Sequence, residues 1–434
     1  MLFETLAATG KARLDSYYRI DFACSIMRPT LPFVITRTTM NFAVRILCAG
    51  PVLVGLFLTG CLSPIALHQA VLSYDETVTQ VSSEQLLLNI VRARYNRPVH
   101  FTTVSSVAAT FDFRMTAGIR PPEGDARGLV APIFSTTVAE NPTITIVPMD
   151  GAEFEQRLLT PLEEERFLSI LELGSDLGMA LRMMGSAMRM ETETGLVVLE
   201  NEPGTPAEYE EYRRRCLHLS VLHRNHQLFI EPVMVGKLWE GSMERGPTPE
   251  DILQALEKGH RWYKTGDHRY ALSKSRLLLS NYDATRRSER RGDFVQDLQD
   301  WPPNEILVDI RPDYPGGEFP IHGRISLRSF NSILQFLARG ISDRPEYAVQ
   351  QDPRTGPVEV NPAQTLQILE TGTVPPDAAL FVKYHDSFYS VEEARYARGE
   401  GANWNLKAFN MLYQLYQMTK KPVSAPVPGI AIAK

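Results

Sequence analysis

Apolar residues recur at helical spacing from Leu72 to Tyr95. The tight run from Glu84 to Val91, with Ser82 or Ser83 placed to cap it, predicts an amphipathic helix that ends before Pro98. Partial alternation then takes over: Val99 to Phe113, rich in Thr, Val and Phe, reads as one strand or a bent pair. A Gly/Pro stretch from Gly118 to Pro132 marks a loop, and Thr143 to Val147 returns to strand. Helical patterns follow at Glu153 to Leu159, Glu163 to Leu173 and Asp176 to Met190. Next come a strand at Leu196 to Leu199, a longer helix from Pro206 to roughly Arg224, and a strand at Gln227 to Val235. The alternation lacks the regular spacing of a dinucleotide fold, so the expected class is α+β, with mixed strands and amphipathic helices.

The second half carries an internal echo. Leu327 to Leu337 lines up with Leu406 to Tyr416: Leu, a basic residue, Phe-Asn and Gln recur at the same offsets. Leu327, Phe330, Leu334 and Leu337 make one apolar stripe on a helix, which a sheet would bury. A strand-like segment precedes each run, Pro320 to Ile325 and Ala379 to Val391, so repeated strand-helix units are the economical reading. Between them, Ser342 to Pro376 is loaded with Pro, Asp, Gln and Thr, a long connection with at most a short helix at Ala363 to Leu369. The tail from Lys420, with Pro422, Pro426 and Pro428, should be extended or disordered.

One apolar run has a different meaning. Ile46 to Leu58 follows Arg45 and is about a dozen residues long, short of the ~20 that a bilayer-crossing helix needs. A charged segment, a short apolar segment and then small residues make a secretory signal. Leu58-Thr59-Gly60-Cys61 closes it, and this stretch resembles the lipobox of bacterial lipoproteins. The resemblance covers only the signal and its cysteine. It implies cleavage before Cys61, a diacylglycerol thioether on the Cys61 sulfur and often an acylated amine. Two or more chains hold stably where one binds marginally. Leu62, in place of an aspartate associated with inner-membrane retention, implies the outer membrane. Met40 is then the expected start. The expected layout is an upstream extension over 1–39, a signal peptide over 40–60 and a tether over 61–71. After these come an N-terminal α+β domain over 72–240, a C-terminal one with the repeat over 241–418, and a flexible tail over 419–434.

Composition agrees with this address. The chain has a formal net charge of −6, and the residues before Cys61 hold six Lys and Arg against three Asp and Glu, so the remainder is more acidic still. Such a surface argues against nucleic acid or anionic lipid as main partner. Cys24 and Cys48 precede the cut and Cys61 carries lipid. Cys216 is left alone, and the fold must hold without an internal disulfide.

Candidate chemistry is sparse. Cys216, His218, His223 and His226 cluster at the end of the helix beginning at Pro206, as zinc ligands can. His218 and His223 nevertheless lie five positions apart and do not share a helical face; only His223 and His226 do. Lys264-Thr265-Gly266 resembles an element of penicillin-binding enzymes, but that mechanism needs a Ser-x-x-Lys that the chain lacks. No Gly-x-Ser-x-Gly, His-Glu-x-x-His or phosphate loop is present. Asp309 with Asp313, or Glu163-Glu164-Glu165, would suit a glycosidase only if they faced each other across a cleft. Arg286, Arg287, Arg290 and Arg291 read as a solvated loop balanced by Asp293, Asp297 and Asp300 more readily than as a phosphate or headgroup patch. Trp239, Trp262, Tyr263, Trp301, Trp404, Tyr384 and Tyr389 offer aromatic surface for a glycan or peptide, though core packing explains most of them better. No catalytic, cofactor-binding or metal-ligating residue is assigned, and no cofactor is expected. The leading expectation is a lipid-anchored, periplasm-facing structural or assembly component of an envelope apparatus, with the membrane and envelope proteins as partners. Its rivals are an envelope glycan or peptidoglycan hydrolase and a ligand-binding lipoprotein.

Overall fold

The computed structural model of the protein describes residues 68–120, 131–192, 195–284, 302–341, 344–376, 378–392 and 403–420. They fall into two compact units, one with residues 68–77, 104–120 and 131–146, the other with the rest. In the first, β1 (Phe101–Arg120) and β2 (Ala131–Met149) pair as a long two-stranded sheet, and Ile144 and Ile146 are exposed on β2. These strands run past the ends of the expected Gly118 to Pro132 loop, whose centre lies outside the described residues.

The second unit holds a seven-stranded sheet. Its strands are β3 (Gly185–Thr192), β4 (Gly195–Glu200), β5 (Phe229–Ser242), β6 (His260–Gly266), β7 (Arg269–Ser280), β8 (Glu305–Ile310) and β9 (Ile321–Leu327). The order is β4-β3-β9-β8-β7-β5, with β6 added beside β7. All pairs are antiparallel except β7 with β8. The expected boundary between residues 240 and 241 falls inside β5, and strands from both sides of it share this sheet. The expected α+β class holds, with helices and strands mixed along the chain.

One face of the sheet sends Leu277, Leu279, Ile306, Val308, Ile310 and Ile325 into the main core. Helices cover it: α1 (68–94), α2 (Ala152–Leu159), α3 (Glu164–Glu172), α4 (Leu177–Met184), α5 (Pro206–Arg224), α7 (Phe330–Arg339) and α8 (Trp404–Thr419). The described part of α1 outlasts its predicted span at the N-terminal side and buries Leu86, Leu87, Ile90 and Val91. Buried Asn89 exchanges hydrogen bonds with His100, donating to its carbonyl at 2.8 Å and accepting its N–H at 2.9 Å, which fixes the turn into β1. Phe101 then stacks on Tyr416 of α8, with ring centroids 4.6 Å apart. Burial of aromatic and aliphatic area of this kind supplies most of a domain's stability.

One expectation meets a correction, and two others take a more specific form. The helix predicted over Asp176 to Met190 stops at Met184, and Gly185 to Thr192 is β3. The cause lies in tertiary packing. The Tyr212 hydroxyl of α5 donates to Leu181 O at 2.7 Å, and a Cβ on Gly185 would sit 2.0 Å from that hydroxyl. The carbonyls that would extend the helix are also diverted, because Arg328 donates to Arg182 O at 3.1 Å and Met183 O at 3.2 Å. Residues 363–369 form no helix either; they run irregularly into β10 (Ile368–Thr371). The Pro362 and Ala363 carbonyls accept from the buried guanidinium of Arg182 at 3.0 and 3.1 Å, not from a helical N–H. The two related runs do lie on helices preceded by strands, but in different settings. Leu327 ends β9 of the large sheet and Phe330 begins α7, whereas Leu406 and Phe409 lie inside α8. The strands before α8 are β11 (Phe381–Tyr384) and β12 (Ser387–Val391), which form a separate three-stranded sheet with β10.

The irregular segment 344–367 is held by charge. Arg182, Arg213 and Arg328 are all buried, and Glu346 faces the first two at 3.5 and 3.3 Å. Arg213 also reaches Tyr209 Oη, Asn361 Oδ1 and the carbonyls of Pro362 and Ala363. Glu346 accepts from Thr365 N at 2.6 Å and Thr365 Oγ1 at 2.9 Å. Burial lowers Arg182 and Arg328 to about 10, so both stay protonated at neutral pH. Buried ions are tolerated only when hydrogen-bonded in this way.

Candidate functional site

At one end of the large sheet the pattern inverts. Residues Thr248 to Asp251 read Thr-Pro-Glu-Asp and build a helix start. The Thr248 side chain accepts from Asp251 N at 3.2 Å, Asp251 Oδ2 accepts from Thr248 N at 3.0 Å, and Pro249 takes the first turn. Such a capping box satisfies two otherwise orphaned donors and is worth about 1 kcal/mol. The resulting α6 (Pro249–Glu257) buries only Ala255, and Ile252, Leu253 and Leu256 are exposed, Leu253 by 62%. A helix of this length gains little stability from its own hydrogen bonds, so it needs an anchor. The Trp262 indole N–H of β6 donates to Asp251 O at 3.3 Å and supplies one.

The sheet beneath α6 is aromatic. Trp239 of β5 and Trp262 of β6 are both register partners of Leu272 on the intervening β7, which places them on one face. Their rings meet edge to face with centroids 5.4 Å apart. Gly241 makes room, since a Cβ there would fall 2.5 Å from the Trp239 ring. Between α6 and β6 lies a cavity of about 270 Å³ with Ile252 and Leu256 on one wall and residues 260–264 on the other. Its β wall is cationic. Burial, followed by Lys274 and Lys258, lowers the His260 pKa. Apolar surface rimmed by charge is the common form of an interaction site.

A second constellation lies on the sheet face opposite the main core. Buried Asp309 of β8 accepts from His322 Nδ1 at 3.0 Å, from Arg311 Nε at 2.7 Å and from the Tyr282 hydroxyl. Burial pushes the Asp309 carboxyl up, but these three donors outweigh it and leave its pKa below the ordinary value. His322 is raised, chiefly by its bond to Asp309. A carboxylate so stabilised is suited to orienting His322 and poorly matched to taking a proton at neutral pH. Nearby Glu305 pairs with Arg189 and with Arg324, the latter at 3.3 Å, so the same face carries a ladder of alternating charge.

The residues singled out by sequence separate. Leu58, Thr59, Gly60 and Cys61 lie outside the described residues, as do Trp301 and Arg286, Arg287, Arg290 and Arg291. Cys216 is buried in α5 and its thiol is pushed by burial up to about 11. His218 bonds Thr355 and the Gly316 carbonyl, and no metal-ligating group of three occurs among the described residues. Glu164 is committed to Leu277 N at 2.8 Å and to Arg276. Asp313 does not join the hydrogen bonds around Asp309. Of the aromatics, only Trp239, Trp262 and Tyr263 meet at the cavity end. Trp404 packs on Arg182, and Tyr384 and Tyr389 pack with Tyr95 or bond it. Sequence reasoning missed α6, β6, β7 and β8, although Thr248 to Asp251 carries the start signal of α6. Compared with known proteins, the chain matches no family model, no curated protein and no solved structure.

Proposed function

We propose that the protein is a lipid-anchored, periplasm-facing assembly component of a bacterial envelope apparatus, held at the outer membrane through Cys61. The observation that carries the protein-binding part of this reading is α6, an ordered helix whose Ile252, Leu253 and Leu256 remain exposed beside an aromatic groove. Exposed apolar patches of this kind mark sites of association. The tether rests on the Leu58 to Cys61 sequence. No helix among the described residues is long and apolar enough to cross a membrane, which is compatible with a lipid in that role.

Site-specific photo-crosslinking from Leu253 in intact cells, followed by mass spectrometry, tests the reading. An envelope protein should be captured from Leu253 and not from exposed Ala207 of α5. Capture of nothing from Leu253, from Leu256 or from exposed Ile144 of β2 would remove the assembly role. For the tether, Cys61→Ala should abolish incorporation of labelled palmitate, and persistent labelling would sink it.

A further inference from the structure

The cavity beside α6 touches five consecutive residues of β6, His260 to Lys264. Tyr270 of β7, the register partner of Lys264, also lines it, so the cavity spreads over the α6-facing side of the sheet as well as along β6. The outer edge of β6 carries none of the described strands. Among the described strands β6 pairs only with β7, on its other side. An open edge offers unpaired N–H and C=O groups to an incoming strand. The opposite wall is set by Ile252 and Leu256, one helical turn apart on α6. The volume of about 270 Å³ falls just below the roughly 300–1,000 Å³ usual for small-molecule pockets, and suits capture of side chains from a longer ligand.

Charge fixes the ligand's other side. The Trp262 indole N–H bonds α6, so α6 covers the face carrying Trp262. Arg261 sits on the opposite face, exposed, with no ion pair among the described residues. Lys264, two positions from Trp262, lies on the α6 side and pairs with Asp267 at 3.8 Å. Asp251 is occupied by its capping box, and Glu250 and Glu257 do not line the cavity. An added strand would thus meet Ile252 and Leu256 of α6 on one face and Arg261 on the other.

We propose that an extended segment of a protein partner, alternating apolar and acidic residues, adds as a strand along the free edge of β6, with its apolar side chains against α6 and its acids beside Arg261. The proposal rests on the assembly reading and specifies its ligand. Backbone pairing gives such a complex its affinity, and alternate side chains give it specificity.

The test uses the full chain in detergent and fluorescein-labelled nine-residue peptides, read by fluorescence anisotropy. A peptide alternating Glu with Ile, Val and Phe should bind at least tenfold more tightly than its Lys-for-Glu counterpart. N-methylation of one alternating set of backbone nitrogens should abolish binding, and methylation of the other set should be tolerated, because only one edge of the peptide faces β6. Arg261→Glu should reverse the charge preference with an unchanged circular dichroism spectrum, and Leu256→Asp should weaken both peptides. Equal binding of the acidic and basic peptides, equal binding of both methylated forms, or no binding above a scrambled peptide would each overturn the proposal. So would co-sedimentation of the Cys61→Ala chain with phosphatidylethanolamine/phosphatidylglycerol vesicles that is lost in Leu253→Glu, which would make the surface a lipid contact. Capture of an envelope protein from Leu253 with no peptide binding would leave the assembly role standing and remove strand addition. Peptide binding without any capture in cells would do the reverse.

Discussion

Around Glu346 the protein buries three arginines, while at α6 it leaves Ile252, Leu253 and Leu256 in water. Each region departs from the usual partition of polar and apolar groups, and in opposite directions. The difference lies in compensation. Arg213 is fully buried, yet both its terminal nitrogens are bonded, to Tyr209, Glu346, Asn361 and two carbonyls. Leu253 has no such partner among the described residues. Buried charge here is explained by the irregular segment it clamps. Exposed apolar surface at α6 is matched by no group among the described residues.

The comparison can be broken by substitutions that stress each side. Arg213→Ala should have the largest effect, a loss of about 3–5 kcal/mol in urea unfolding, because Glu346 loses a buried partner and segment 344–367 loses its clamp. If that variant unfolds at the wild-type urea midpoint, the clamp is not structural. Glu164→Gln keeps the shape but removes the buried carboxylate that accepts from Leu277 N and faces Arg276, and should cost about 1–3 kcal/mol by the same measurement.

A smaller, pH-dependent effect is expected at Asp309 and His322. His322 is raised in the folded state, chiefly by Asp309, with Glu191 assisting and with burial and Arg311 opposing. Its contribution is therefore fully present below the unfolded value of about 6.5 and is lost as pH rises through the higher folded value. Asp309 is lowered, so its contribution is present above about 3.9 and is lost as pH falls through the lower folded value. The pair should stabilise most between these limits, and His322→Gln should flatten the decline in melting temperature from pH 6 to pH 9. An unchanged slope would show that the pair does not couple to folding.

Leu253→Glu should have the smallest effect on stability, within about 0.5 kcal/mol of wild type, as for surface positions generally. It should nevertheless abolish crosslinking through α6. A variant that lost several kcal/mol would place Leu253 in the fold's own packing and erase the contrast.

The sequence showed the helices whose apolar spacing is complete, α1, α7 and α8, because burial of one face writes a period near 3.6 into the chain. It could not show that the helix from Asp176 ends at Gly185, since the reason is Tyr212, which arrives from α5. Arg213, Arg214 and Arg215 look alike in sequence. Arg213 is buried on Glu346, whereas Arg214 pairs with Glu210 and Glu211 near the surface. The site was legible only in pieces. Trp239, Trp262 and Tyr263 stood out as aromatics, and the capping signal of α6 was present, but β7 brings them together through pairings that no local pattern encodes.

The capping box of α6 has a further consequence for how the protein can change. Thr248, Pro249 and Asp251 specify the helix start locally, and Ala255 and Trp262 fasten it from beneath. None of these groups is among the outward residues Ile252, Leu253 and Leu256. Substitutions at those three positions can therefore accumulate with little penalty to folding. A lineage could retune what this face recognises, residue by residue, while the rest of the molecule stays the same.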